Sequence, residues 1–295
     1  MMTQNSGRLS GVCRAAAVTA MAGASLFSLA APAQAAGDGP NYVAMGDSYA
    51  SGAGLSGVKD TACDRTAAGY PSIIAGTSAG ENRALKDVTC SGATTRHIWN
   101  AQGSKPPQIN ALTPNTKLVT LTIGGNDVGF TGVLTTCVLV KSSDPDGSPC
   151  RKHFTTGKDV LGERINTVEG RVRDTITDIR RRSPDAKIVV VGYPALFPDN
   201  GVGCAEVPFA RQDFAFLRDT TQKLNRALAR RAAAGGTGVS YADTYSPTVG
   251  YDMCQPRHRR FIESLTPAPG SMAAHPNTYG QLMMATAALD QILEP

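Results

Sequence analysis

The chain has 295 residues, of which 41% are hydrophobic and 18% charged, with a formal charge of +5. So mild and dispersed a charge excludes a basic nucleic-acid-binding module. The length suits one large α/β domain with an ample core, and no internal repeat or low-complexity linker divides it.

The N-terminus carries Arg8 and Arg14, then an Ala-rich apolar run from about Ala15 to Ala31, then Ala33-Gln34-Ala35. A charged segment, a short apolar segment and a small-x-small site form the pattern of a cleavable secretory signal over residues 1–35. Thr19, Gly23 and Ser25 interrupt the apolar run and Pro32 follows it, which argues against a permanent membrane helix of about 20 apolar residues. Cys13 precedes the apolar run, so no lipidated N-terminus is expected. The expectation is a secreted, unanchored protein starting near Ala36, with one domain over 36–295. Without residues 1–35, which hold two arginines and no acid, the formal charge falls from +5 to +3.

Along that domain, short apolar runs alternate with stretches of helical period, the signature of βαβ units and a parallel sheet. Strands are expected at Asn41–Gly46, more weakly at Leu85–Cys90, and at Leu118–Ile123, Ile188–Gly192 and Val239–Ala242. Val160, Leu161, Ile165, Val168, Val172, Ile176 and Ile179 predict a helix that ends at Ser183-Pro184. Phe209, Phe214, Leu217, Leu224 and Leu228 predict another, closed by Gly235-Gly236, and a last helix runs from about Thr278 to Leu293. Residues 131–149 lack a clear period and read as a disulfide-braced surface loop.

Six cysteines follow the leader: Cys63, Cys90, Cys137, Cys150, Cys204 and Cys254. An even number in an exported chain implies disulfides, with fifteen connectivities in principle. The spacing suggests pairing between sequence neighbours. No C-x-x-C and no close Cys/His cluster is present, so no metal site is expected. There is likewise no sign of a nucleotide or organic cofactor.

In open parallel sheets, ligands bind beyond the carboxyl ends of the strands. Gly46-Asp47-Ser48-Tyr49, Ser91-Gly92 and Gly124-Gly125-Asn126-Asp127 follow the first three strands and converge on one edge. Acyl transfer from an ester needs a nucleophile, a base and donors for the oxyanion. Ser48 is placed to be the nucleophile, its own N–H and that of Gly92 to be donors, and Asn126 to add a side-chain amide. A base active near neutral pH must be a histidine. His275 sits just before the last helix, where its loop folds back over the strand ends, and His97 is the rival. His153 and His258 lie in basic loop segments and read as surface residues. Asp47 and Asp127 read as loop-holding hydrogen-bond acceptors, not proton carriers.

Four blocks, Gly46-Asp47-Ser48-Tyr49, Cys90-Ser91-Gly92-Ala93-Thr94-Thr95, Gly124-Gly125-Asn126-Asp127 and His275-Pro276-Asn277, resemble the GDSL, or SGNH, hydrolase family in its order. The six cysteines, with Arg260-Phe261-Ile262-Glu263, look most like the secreted lipases and esterases of Streptomyces and related actinobacteria. The resemblance implies a three-layer α/β/α flavodoxin-like sandwich with about five parallel strands, and the bridges Cys63–Cys90, Cys137–Cys150 and Cys204–Cys254. It also implies an oxyanion hole of Ser48 N, Gly92 N and the Asn126 side chain. Where most of the family has Asp three residues before the histidine, this chain has Met272. The expectation is therefore a Ser48–His275 dyad, with the carbonyl of Met272 or Ala273 accepting from Nδ1. Asp252, Glu263 and Asp290 are the acids whose contact with Nδ1 would refute it.

The expected activity is carboxyl-ester hydrolysis on a small-molecule or lipid ester. Carbohydrate acetyl esterase and phospholipase A-type acyl hydrolase are the alternatives, and a non-catalytic binding protein on the same scaffold is the third reading. A monomer is expected, because no sustained heptad or pairing segment appears.

Overall fold

The computed structural model describes residues 41–79 and 83–294, all within one compact unit spanning Gly37–Pro295. The predicted leader, residues 1–35, lies outside the described residues. In chain order the elements are β1 (Tyr42–Gly46), α1 (Ser48–Ser51), β2 (Val58–Asp60), β3 (Arg65–Thr66), α2 (Tyr70–Ala75) and β4 (Leu85–Asp87). There follow β5 (Leu118–Thr122), α3 (Gly125–Val128), α4 (Phe130–Val140), α5 (Pro149–Thr155), α6 (Val160–Arg182), β6 (Lys187–Val191), α7 (Asp213–Ala233), β7 (Val239–Ala242) and α8 (Thr278–Leu293).

The main sheet is parallel throughout, in the order β4-β1-β5-β6-β7. This is the flavodoxin-like order, with its reversal beside β1. Right-handed crossovers on either side of a reversal put α2 and α8 on one face and α6 and α7 on the other, and the helices pack in those pairs. Strands β1, β5 and β6 are covered on both faces, so Tyr42, Val43, Ala44, Met45, Leu118, Val119, Ile188 and Val189 are all buried. That double coverage is why their sequences are continuously apolar instead of alternating.

Three expectations need correction. The second strand ends at Asp87, because Asp87 turns the chain by accepting from both the N–H and the hydroxyl of Thr89. Helix α7 begins at Asp213, not Phe209; Phe209 is buried in the preceding loop and meets Phe214 edge-on at 5.4 Å between ring centroids. Residues 131–149 are not a surface loop: α4 occupies most of the first half, and α5 starts at Pro149. Val133, Leu134 and Cys137 form its buried stripe, but Thr131, Thr135 and Thr136 on the other faces are poor helix formers, and Val138-Leu139-Val140 adds apolar residues all round. The helical period is blurred, not absent.

The disulfides Cys63–Cys90, Cys137–Cys150 and Cys204–Cys254 are all formed. The second ties α4 to α5, so this region is braced as expected even though it is helical. Among the described residues, no helix is long and apolar enough to cross a membrane, and no three His, Cys, Asp or Glu side chains are grouped to hold a metal ion.

Candidate active site

Strand β1 delivers Ser48. The turn out of the strand requires glycine at Gly46: its φ is +151°, and a Cβ there would lie 2.5 Å from the Thr122 carbonyl oxygen. Gln108 holds this glycine at both ends, accepting from its N–H at 2.8 Å and donating to its carbonyl at 2.9 Å. Asp47 caps α1 by accepting from the Tyr49 N–H at 3.0 Å, and Ser48 becomes the first residue of that helix, 6% exposed.

Ser48 Oγ lies 2.8 Å from His275 Nε2, although 227 positions separate the two residues. His275 Nδ1 lies 2.8 Å from the Ala273 carbonyl oxygen. A carbonyl only accepts, so Nδ1 carries the hydrogen and Nε2 presents its lone pair to the serine hydroxyl. The Met272 carbonyl is occupied by the His275 N–H at 3.2 Å. None of the three acids reaches Nδ1. Asp252 accepts from the Cys254 N–H, Asp290 is exposed on α8, and Glu263 pairs with Arg260 while accepting from the Ala268 N–H. Glu263 instead holds the histidine loop through its backbone, since its N–H donates to the His275 carbonyl and its carbonyl accepts from the Ala274 N–H.

Three features around this pair escape sequence reasoning. Ala274 has φ +58°, a left-handed conformation unusual for alanine. Its carbonyl accepts from the Tyr49 hydroxyl at 2.5 Å, and the Tyr49 ring sits 4.9 Å from the imidazole, so Tyr49 braces the turn that aims His275. Tyr193, just past β6, donates to Asp47 Oδ2 at 2.5 Å and accepts from the Gly125 N–H at 2.8 Å. One tyrosine thus joins the turn after β1 to the turn after β5. Its position beyond a strand's carboxyl end was a usable signal. The partnership of Tyr49 with residue 274 had none.

Asn126 borders the same space as Ser48 and His275, and its Nδ2 donates to the Ala93 carbonyl at 2.9 Å, leaving a second amide hydrogen. Gly92 takes φ +78°, which favours glycine, and follows Ser91, whose N–H donates to the Cys63 carbonyl beside the Cys63–Cys90 bridge. The backbone N–H groups of Ser48 and Gly92 have no hydrogen-bond acceptor among the described residues. Gly92 does not, however, line the cavity that Ser48, Asn126 and His275 share. Asp127 accepts from the Thr95 N–H and hydroxyl and from Arg171, fastening the turn after β5 to the segment after Gly92. His97 Nδ1 accepts from the Thr94 N–H at 2.9 Å, a local cap, and His97 does not line the cavity beside Ser48.

The cavity beside Ser48 measures about 250 Å³ and is mostly apolar. Phe130, Leu134 and Val138 of α4 form one wall, with Leu196 and Leu265 among the other lining residues.

Burial dominates the titration of the site. Asp47 is pushed up to about 7 by burial, against the opposing hydrogen bonds from Tyr193 and the Tyr49 N–H. His275 is held below its ordinary value by burial, which outweighs the Ala273 carbonyl and the Asp64 charge. The imidazole therefore takes up its proton at a lower pH than an ordinary histidine, and, if His275 is the base, the acid limb of kcat/KM is expected below 6.5. A pH-rate profile on a neutral ester checks this; a limb above 6.5 contradicts it. The same shift links to stability. The unfolded chain takes up the proton first, so this contribution is present above the ordinary histidine value and is lost as pH falls through the folded value.

The chain resembles known proteins over nearly all of its described length. A sequence model of the GDSL-like lipase/acylhydrolase family matches residues 44–282. The chain belongs to that family. Among GDSL relatives, "Lipase 2" of Streptomyces coelicolor is 37% identical over 269 residues, covering 88% of each chain. The crystal structure of phospholipase A1 from Streptomyces albidoflavus superposes with a TM-score of 0.69 at 30% identity, covering 85% of this chain and 98% of that one. The extracellular lipase of Streptomyces rimosus gives 0.64 at 27% identity, over 85% and 98%. The sheet order and flanking helices are those of the GDSL hydrolase fold, and the activity of the chain is that of a carboxylic ester hydrolase.

Proposed function

We propose that this GDSL hydrolase cleaves acyl esters with Ser48 as nucleophile and His275 as the base, in a dyad oriented by the Ala273 carbonyl. The observation that carries the reading is the 2.8 Å approach of Ser48 Oγ to His275 Nε2 at an apolar cavity. Ser48 Oγ attacks the ester carbonyl while His275 Nε2 takes the hydroxyl proton. The oxyanion receives hydrogen bonds from Ser48 N–H, Gly92 N–H and the second amide hydrogen of Asn126. His275 then returns its proton to the departing alcohol, leaving an acyl group on Ser48. Water, deprotonated by the same nitrogen, releases the acid and regenerates the serine. A carbonyl fixes the imidazole tautomer but stabilises imidazolium less than a carboxylate does, and in serine hydrolases losing the acid costs less than losing nucleophile or base.

We also propose secretion, with residues 1–35 as the leader and residues 36–295 as the hydrolase domain. Three disulfides suit an oxidising compartment.

The apolar wall of α4 favours an acyl chain over a sugar-bound acetyl group. Across nitrophenyl esters of rising chain length, kcat/KM is expected to climb by up to about fourfold per methylene until the cavity is filled, from about 0.8 kcal/mol per buried methylene. Fastest turnover on acetyl esters, with acetylated sugars outpacing longer acyl esters, would instead support the carbohydrate-esterase reading.

A further inference from the structure

Three turns carry the reacting groups, and all three lead to one side chain that takes no part in the steps above. Tyr193, just past β6, is buried and borders the cavity shared by Ser48, Asn126 and His275. Its backbone is clamped by Asn225 of α7, whose side chain accepts from the Tyr193 N–H at 2.8 Å and donates to the Tyr193 carbonyl at 2.7 Å. From that fixed base the hydroxyl donates to Asp47 Oδ2, in the turn before Ser48, and accepts from the Gly125 N–H, in the turn before Asn126. The ring meets that of Tyr49 edge-on at 5.1 Å, and Tyr49 holds the Ala274 carbonyl in the histidine turn.

A phenol has one hydrogen to give. Here it is committed to Asp47, so Tyr193 is not itself a donor to the oxyanion. The same commitment polarises the hydroxyl and makes its oxygen a better acceptor for the Gly125 N–H. Asp47 uses its other oxygen on the Tyr49 N–H, so Ser48 is held from the residues on both sides of it. Asn126 follows Gly125 directly.

We infer that Tyr193 is a positioning residue of the oxyanion hole, holding the Ser48 N–H and the Asn126 amide at one fixed separation. The inference rests on the roles proposed above for Ser48 and Asn126. Oxyanion donors act because they stand in place before charge develops, and a misplacement of about 1 Å can cost about 10²-fold in rate. Without the hydroxyl, Asp47 Oδ2 and the Gly125 N–H both lose a partner, and the two turns are free to shift against each other.

A double-mutant cycle in kcat on a neutral nitrophenyl ester tests this, with rates referred to sites titrated by a fluorophosphonate. Tyr193→Phe keeps the ring and removes the hydroxyl. It is expected to lower kcat by about 10–100-fold with KM within about threefold of wild type. Asn126→Ala already lacks the side-chain donor, so adding Tyr193→Phe to it is expected to cost less than about fivefold more. Equal losses in the two backgrounds would show that Tyr193 acts apart from Asn126 and would overturn the inference. So would a rise in KM alone, or a loss confined to the number of titrated sites with kcat per site unchanged, which is what a merely structural role produces. Wild-type rates in Ser48→Ala or Asn126→Ala would instead remove the underlying reading of those residues.

Discussion

Replacing Ser48 by alanine is expected to lower kcat on a neutral nitrophenyl ester by about 10⁴–10⁶, and His275→Ala by a similar amount, because nucleophile and base act as a unit. His97→Ala is expected to stay within about threefold of wild type, as its ring only caps the turn at Thr94. Steady-state kinetics with active-site titration decide the matter. Survival of His275→Ala alongside loss of His97→Ala would reverse the assignment. The same assay separates dyad from triad. Where a buried aspartate supports a catalytic histidine, its loss costs about 10⁴ in kcat. With the Ala273 carbonyl in that position, Asp252→Asn and Asp290→Asn are expected to change kcat by less than about tenfold.

Asn126→Ala is the other large effect. Removing one oxyanion donor costs about 10²–10³ in kcat, with little change in KM if the donor acts on the transition state. Asn126 also ties its loop by donating to the Ala93 carbonyl. Asn126→Asp keeps the size but removes the donor and adds a negative charge near the oxyanion, and is expected to be at least as slow as alanine. Activity of Asn126→Asp near wild type would exclude the amide as a donor.

The parts of this molecule legible in its sequence are those fixed by local physics. β1, β5 and β6 are buried on both faces and therefore spell continuous apolar runs, and the residues just beyond β1 and β5, Ser48 and Asn126, border one cavity. The less legible parts depend on contacts between distant segments. Helix α4 hides because threonines break up its apolar stripe and its end is apolar all round, although Phe130, Leu134 and Val138 supply a wall of the cavity. The carbonyl behind His275 could be narrowed only to residue 272 or 273; the left-handed Ala274, braced by Tyr49 from the far end of the sequence, leaves Ala273 facing Nδ1. Tyr193 joins two turns through a hydroxyl that no periodicity reveals. Gly92 is expected beside the reacting space, yet it lies outside the lining of the main cavity.

The most direct measurement is covalent trapping with a fluorophosphonate, followed by peptide mass spectrometry. A single adduct per chain on the peptide containing Ser48, lost in Ser48→Ala and greatly slowed in His275→Ala, is the predicted result. Labelling of another serine, or labelling of Ser48 at the same rate without His275, would contradict it.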